Sequence, residues 1–256
     1  MVSEELNEKL KLLGWNIGFS RRISSTTNGN VITFDGKVDF IFPCNLEQRR
    51  SLTAVYYEVW IKRIYNEFSL QGEHIIDVGA LFGDTGIWFL QQGAKFVTMY
   101  EPGITFKMID ANMQLNEYTP KNYEAKNIAV TGKKEMVKVD SECWNFGCTS
   151  FERDSIKENG TFEKKTASLA DIAVQDAILK FDTEGSEYKT FESADRDTIR
   201  KFKAIMMEFH DKGYIPITSK LEACGFEIVK LEVNEWPKGI SEEFQSSGML
   251  YAKRIG

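Results

Sequence analysis

The chain has little histidine, little proline and no cysteine arrangement that would staple it. Its 256 residues include two histidines (His74 and His210), five prolines and four cysteines. Of Cys44, Cys143, Cys148 and Cys224, only Cys143 and Cys148 lie close, with four residues between them and no second pair. A structural zinc site needs two short-spaced pairs, or one pair with histidines nearby, so none is expected. Reduced thiols in a cytoplasmic protein are the expectation instead. No run approaches the ~18 uninterrupted apolar residues of a membrane span. The opening MVSEELNEKLKLLGW carries acids where a secretory leader carries bases. Positive charge is not in excess either: 32 Lys and Arg against 38 Asp and Glu leave a net −6. Broad nucleic-acid footprints rely on clustered cations that displace counterions. Nucleic acid and membrane are therefore disfavoured as partners, which does not exclude a small-molecule substrate or a local basic groove. No internal repeat or low-complexity tract appears.

What is present is globular. Hydrophobic residues make up 42% and aromatics 12% of the chain, enough to build a core. The length suits one large α/β domain or two small ones. Residues 1–70 read as a separate N-terminal cap, a substrate-side extension. Val31–Phe42 has the pattern of a hairpin turning at Asp35-Gly36. Ser51–Phe68 places Leu52, Val55, Tyr56, Val59, Trp60, Ile64 and Phe68 on one helical face, a core-packing stripe. From residue 71 to 256 the pattern alternates. Strands are expected at His74–Ala80, Phe96–Tyr100, Tyr123–Val130, Ala177–Phe181, Ala204–Phe209, Phe226–Glu232 and Met249–Lys253. Helices are expected at Thr85–Gln92, Phe106–Asn116 and Thr218–Cys224. Such alternation predicts an α/β fold, a mostly parallel sheet with helices on both faces. The short connection Asn234–Ser247, with Pro237 and Gly239, predicts a hairpin, so the last strand should run antiparallel. Asp140–Lys165, with Trp144, Phe146 and Phe151, breaks the rhythm and is expected to be a long irregular insertion.

In an open α/β sheet, ligands bind beyond the carboxyl ends of the strands, where strand order reverses. The residues just after each strand therefore carry the functional reading. The first strand runs into Asp77-Val78-Gly79-Ala80-Leu81-Phe82-Gly83-Asp84-Thr85-Gly86. Its glycines let the backbone turn and approach a ligand, but their spacing is not the dinucleotide G-x-G-x-x-G. Asp84 would repel a phosphate there and suits a cationic or hydroxyl-bearing ligand. Glu101, at the end of the second strand, can accept both hydrogen bonds of a ribose diol. The fourth strand leads into Asp182-Thr183-Glu184-Gly185, the fifth into Glu208-Phe209-His210. These ionisable groups at neighbouring strand ends are costly unless used.

Taken together, IIDVGALFGDTGIWFL, VTMYEP, IAVTGKKEMV, LKFDTEGSEYKTF and MMEFH resemble the FkbM-type family of S-adenosylmethionine-dependent methyltransferases, over roughly residues 73–210. The resemblance implies the Rossmann-like class I methyltransferase fold, a seven-stranded sheet with its last strand antiparallel, and S-adenosylmethionine as cofactor. By position it implies that Asp77, Gly79, Ala80 and Gly83 shape the cofactor loop, that Glu101 holds the ribose and that Ala129 lies beside the adenine. Asp182 and Glu184 match the family's D-x-E-G motif near the methyl-transfer point, where Asp182 also borders the cofactor. One departure stands out: the family's L-D-D step before the fourth strand reads Ser168-Leu169-Ala170-Asp171, one acid short. The implied chemistry is O-methylation of a hydroxyl on a small molecule, sugar or polyketide-like acceptor. Asp182, Glu184 and His210 are the candidate bases, His210 by its intrinsic pKa. A divalent cation on Asp182, Glu184 and Glu208 is the less favoured alternative, and no metal is assigned. Three other readings stand beside this one. The first, nucleic-acid or protein methylation, lacks an N-P-P-Y amide clamp. The second, an NAD-dependent oxidoreductase, conflicts with the glycine spacing. The third is a non-catalytic cofactor-binding module.

Overall fold

The computed structural model describes residues 25–28, 31–36, 38–41, 52–140, 161–210, 212–235 and 246–256. The chain divides into two compact units, Met1–Arg63 and Ile64–Gly256. In the first unit, β1 (Ser25–Asn28), β2 (Val31–Phe34) and β3 (Val38–Ile41) form an antiparallel sheet in that order. The β2–β3 turn is the expected one. Asp35 and Gly36 both take left-handed backbone conformations, φ 49° and 64°, which Asp-Gly tolerates best. Strand β1 was not anticipated.

The expected helix over Ser51–Phe68 is shorter than its apolar stripe. Residues 52–56 are α-helical and continue as a π-helix, Tyr57–Lys62. The run stops at Arg63, which is left-handed at φ 57° and returns its N–H to the Glu58 carbonyl. The last turns are the wider kind, closed by i→i+5 bonds, and the stop at Arg63 leaves Ile64 and Phe68 outside the helix. The aromatics explain what is gained. Tyr56 stacks on Phe34 (4.7 Å between centroids) and on Trp60 (5.4 Å), and Phe40 meets Trp60 edge-on at 5.7 Å. Such pairs contribute about 0.5–1.5 kcal/mol each beyond area burial.

The second unit contains the expected seven-stranded sheet. Its strands are β4 (His74–Val78), β5 (Phe96–Tyr100), β6 (Tyr123–Lys126), β10 (Ile178–Phe181), β11 (Ala204–Phe209), β12 (Phe226–Glu235) and β13 (Ser246–Arg254). The spatial order is β12-β13-β11-β10-β4-β5-β6. Neighbours from β11 to β6 are parallel, and β13 runs antiparallel to both β11 and β12. The turn residues Pro237 and Gly239 lie outside the described residues.

Two sequence expectations are corrected. Tyr123–Val130 is not one strand. The Ile128 N–H folds back onto the Lys126 carbonyl, so β6 ends and β7 (Ala129–Val130) starts in another sheet. That second sheet has the order β7-β9-β8, where β8 is Met136–Asp140 and β9 is Thr161–Ala167. The segment Asp140–Lys165 therefore begins and ends in paired strands, with Asp140 opposite Thr161. Residues 141–160, including Cys143, Trp144, Phe146, Cys148 and Phe151, lie outside the described residues.

The helices of this unit are α1 (Asp84–Gln91), α2 (Phe106–Leu115), α3 (Leu169–Ile172), α4 (Glu187–Ser193), α5 (Arg196–Ile199) and α6 (Ile215–Ala223). Pro216, at the first turn of α6, moves its start three residues ahead of the expected Thr218. Asp171, in the sequence that departs from the L-D-D step, opens α3: it accepts from both the backbone N–H (2.9 Å) and the hydroxyl (2.6 Å) of Ser168. No helix among the described residues is long and apolar enough to cross a membrane.

The core lies on the sheet. Ile76, Leu179, Phe181, Phe191, Ile205, Met207 and Leu250 are wholly buried in one cluster. Phe181 ends β10 and meets Phe191 of α4 edge-on at 5.5 Å, so it ties a central strand to a covering helix directly beneath the strand-end motif. Phe181→Ala should cost about 3–5 kcal/mol, measurable by urea unfolding.

Candidate active site

The chain forms β4, then β5 and β6 to one side, and later β10 and β11 to the other. Strand order therefore reverses between β4 and β10, the position beyond whose strand ends open α/β sheets bind their ligands. A buried ion pair sits at that point. Lys180 and Asp77 are register partners across β10 and β4, with side chains 1% and 0% exposed. Lys180 Nζ lies 3.2 Å from Asp77 Oδ1 and 3.7 Å from Asp182 Oδ2. It also donates to the carbonyls of Gly79 (2.6 Å) and Val78 (3.3 Å), and it lies over the Tyr65 ring. Asp77 Oδ2 accepts from the Thr85 hydroxyl at 2.6 Å. Burial alone would lower the Lys180 pKa; Asp77, Asp182 and Asp84 overcome this and hold it above its ordinary value. Sequence reasoning passed over Lys180 and Tyr65. The available signal was a lysine inside an otherwise apolar strand, since lone buried charges are rare unless paired.

The glycine loop closes on this pair. Gly79 has φ 79°, and a β-carbon there would overlap the Asp182 carbonyl oxygen, so the loop after β4 and the start of the D-x-E-G segment run in backbone contact. Gly79 and Ala80 both donate to the Tyr100 carbonyl, which fixes the loop to the end of β5. Gly83, at φ 91°, precedes α1 and faces Ile109 of α2. Glu101 is 4% exposed, and its carboxylate accepts from the N–H groups of Leu81 (2.9 Å) and Gly103 (2.5 Å). Ala129 is wholly buried and lies in the smaller sheet, opposite Thr166. Its neighbour Asn127 donates to the Glu101 carbonyl at 2.7 Å, which keeps this segment beside the end of β5. Burial raises the Glu101 pKa to about 7, against the pull of its two backbone donors. Burial likewise raises Asp84 to about 7, and its Oδ1 has no hydrogen-bond partner.

A second group forms where β10 and β11 end. Glu184 takes a left-handed backbone at φ 57°, uncommon for a residue with a side chain. His210 Nδ1 lies 3.2 Å from Glu187 Oε1, and Nε2 lies 3.5 Å from Glu184 Oε2 and 3.8 Å from Glu208 Oε1. Glu187 is wholly buried and also accepts from the Thr183 N–H at 3.1 Å. Burial alone would lower the His210 pKa, but the hydrogen bond and charge of Glu187, then Glu184 and Glu208, hold it well above the ordinary value. Its intrinsic pKa is thus no guide to its state in the free chain. Glu187, which sequence reading did not single out, is the residue responsible. The structure brings Asp77, Gly79 and Asp182 together around Lys180, and Glu184, Glu208 and His210 together beside them. Glu101, Ala80 and Gly83 belong to the loop flanking β5.

Two outcomes follow from these buried charges. Lys180→Met strands Asp77 without its cation and should cost about 3–5 kcal/mol, whereas Lys180→Met with Asp77→Leu should recover much of it; denaturant unfolding of the three proteins measures both. Asp84 and Glu101 hold their protons to about pH 7 in the folded chain, whereas the unfolded carboxyls release theirs near pH 4. Their contribution to stability therefore falls as pH rises from about 4 to about 7. Asp84→Asn should raise Tm, relative to the parent chain, more at pH 8 than at pH 4.5.

Residues 77–228, more than half of the chain, match the family described as the methyltransferase FkbM domain. No curated protein matches the chain at a significant level. Among solved structures, the chain is similar to magnesium protoporphyrin IX methyltransferase from Synechocystis PCC 6803 with bound SAM, at 12% identity and a TM-score of 0.48, covering 84% of this chain and 86% of that one. It is also similar to M. jannaschii TYW2 in complex with AdoMet, at 12% identity and a TM-score of 0.46, covering 91% and 87%. The match over 77–228 takes in the glycine loop, Glu101, the D-x-E-G segment and His210, and the chain belongs to the FkbM domain family of methyltransferases.

Proposed function

We propose that this methyltransferase uses S-adenosylmethionine to methylate a hydroxyl oxygen of a small-molecule acceptor, such as a sugar or a polyketide-like compound. The observation that carries the reading is the convergence of Asp182, Glu184, Glu208 and His210 at the ends of β10 and β11. Methyl transfer to oxygen requires a nearby group to take the hydroxyl proton and fix the oxygen in line, and a cluster of carboxylates around an imidazole suits that task. The residues beside β4 suit the cofactor. Acids outnumber cations there, and Asp84 Oδ1 is buried without a partner, which favours a ligand bearing positive charge.

When bound, S-adenosylmethionine supplies an electrophilic methyl group on a sulfonium centre. In this proposal Asp77, Gly79, Ala80 and Gly83 shape the loop that receives it. Glu101 accepts from the ribose hydroxyls, Ala129 borders the adenine, and Asp182 faces both cofactor and acceptor. Asp182, Glu184 and His210 are the candidates to orient the acceptor oxygen; Asp182 and Glu184 are the ones suited to accept its proton, because, despite burial, Glu187 holds the His210 pKa well above its ordinary value.

Adding S-adenosylmethionine or S-adenosylhomocysteine should raise Tm, because a ligand selective for the native state stabilises it by about 2.7 kcal/mol at a hundredfold excess over Kd. Glu101→Ala should shrink that shift. No shift at millimolar cofactor would overturn the reading. With an acceptor in hand, Asp182→Asn and His210→Ala should each lower kcat; full turnover in both would remove the proposed roles.

A further inference from the structure

The end of β11 carries Glu208 and His210 two residues apart, and successive side chains on a strand alternate, so the pair projects to one side. The parallel register aligns Phe181 with Met207. One step further along each chain, Asp182 comes level with Glu208, about 4.8 Å away at the usual strand spacing. One ligating atom each from Asp182, Glu208 and His210 lies within 4.8 Å of the others. Two carboxylates and an imidazole from adjacent strands thus converge without any loop rearrangement.

Three further observations point to what the convergence fits. First, the imidazole is oriented. Glu187, wholly buried, holds Nδ1 at 3.2 Å and turns Nε2 toward Glu208 and Glu184. A carboxylate on the far nitrogen is the arrangement that orients ligating histidines. Second, the gaps are wide for direct hydrogen bonds. Nε2 stands 3.5 Å from Glu184 and 3.8 Å from Glu208. Ligands about 2.1 Å from a shared cation lie about 3.0–3.5 Å apart, so the His210–Glu208 gap is within a few tenths of an ångström of that range, and the Asp182 oxygen, within 4.8 Å of both, would close on them. Third, Asp182 meets Lys180 through one carboxylate oxygen. The contacts of Asp182 with Lys180 and Tyr65 both use Oδ2, which leaves Oδ1 for ligation.

We infer that Asp182, Glu208 and His210 form a binding site for one divalent first-row transition cation, which binds His210 through Nε2 with any proton there released to solvent, with Glu187 as the positioning residue for the histidine. An imidazole with two carboxylates suits Mn²⁺ or Zn²⁺. Three protein ligands leave coordination positions open to an acceptor hydroxyl, whose pKa the cation would lower. That use rests on the methyl-transfer reading; the binding of the cation does not.

The test is calorimetric titration of the full chain with MnCl₂ alone, without cofactor. One Mn²⁺ per chain is expected, with Asp182→Asn and Glu208→Gln each weakening binding at least ~10-fold and Glu187→Gln by about 10–100-fold. Asp171→Asn, in the capping box of α3, should leave the affinity unchanged. Absence of saturable uptake by the parent chain overturns the inference, as does uptake that keeps its full affinity in Asp182→Asn. A second measurement needs no variant. The chain has only His74 and His210, and these lie at opposite ends of the parallel strands. Titrating ZnCl₂ should move the ring resonances of His210 and leave those of His74 in place; the reverse overturns the site. Tm shifts with S-adenosylmethionine in metal-free samples separate the two claims. A cofactor shift without metal uptake removes the cation site alone, and metal uptake without a cofactor shift removes the methyl-donor reading alone.

Discussion

The ion pair between Lys180 and Asp77 is the contact on which the rest of the site depends. An ammonium buried to this degree costs several kcal/mol in lost hydration. Lys180 offsets that with Asp77, Asp182 and two backbone carbonyls. These acceptors come from the end of β4, the loop after it and the first residue beyond β10. The two strands that flank the reversal of order are therefore tied by charge as well as by their ladder. The tie also explains the bare backbone at Gly79: the loop is drawn so close to Asp182 that no side chain fits between them.

Around this pair the protein gathers more acids than cations, and it manages the excess in two ways. On the β4–β5 side, burial keeps Asp84 and Glu101 protonated up to about pH 7, so the surplus charge is largely suppressed. On the β10–β11 side, despite burial, Glu187, then Glu184 and Glu208, hold the His210 imidazole well above its ordinary pKa. The first arrangement suits the positively charged ligand of the proposed function, and the second the acceptor or cation proposed for that side. Both are costly for the free chain, as is the left-handed backbone of Glu184, on the order of 1–3 kcal/mol for a strained residue of this kind. Such costs concentrate where function requires them.

How much of this was legible in the sequence depended on how strongly each segment repeats its pattern. FVTMY and AIMMEF are almost purely apolar, and the strands they form, Phe96–Tyr100 and Ala204–Phe209, match the expected spans. The antiparallel last strand was legible from its short connection. By contrast, β8 and β9 read MVKVD and TFEKKTA. They are strands by pairing with each other, and their lysines hide any buried face. The break between β6 and β7 depends on one local bond at Ile128, which no period reveals. The acids of the site were visible because they follow apolar strands. Lys180, inside such a strand, and Glu187, inside the following helix, were not, because their importance lies in what they touch.

The choice of lysine at position 180 follows from the same geometry. A guanidinium is flat and presents its donors in a fixed fork, best matched to one carboxylate held side-on. Here the acceptors surround a point: a carboxylate oxygen on β4, carbonyls of Val78 and Gly79, and a second carboxylate on the D-x-E-G segment. A compact ammonium with three rotatable donors can address them at once from the end of a flexible stem. Its side chain is buried, and its head meets the Gly79 carbonyl where Gly79 leaves room for the Asp182 backbone. The glycine and the lysine are therefore one device. The bare backbone lets the loop approach, and the ammonium makes that close approach electrostatically favourable.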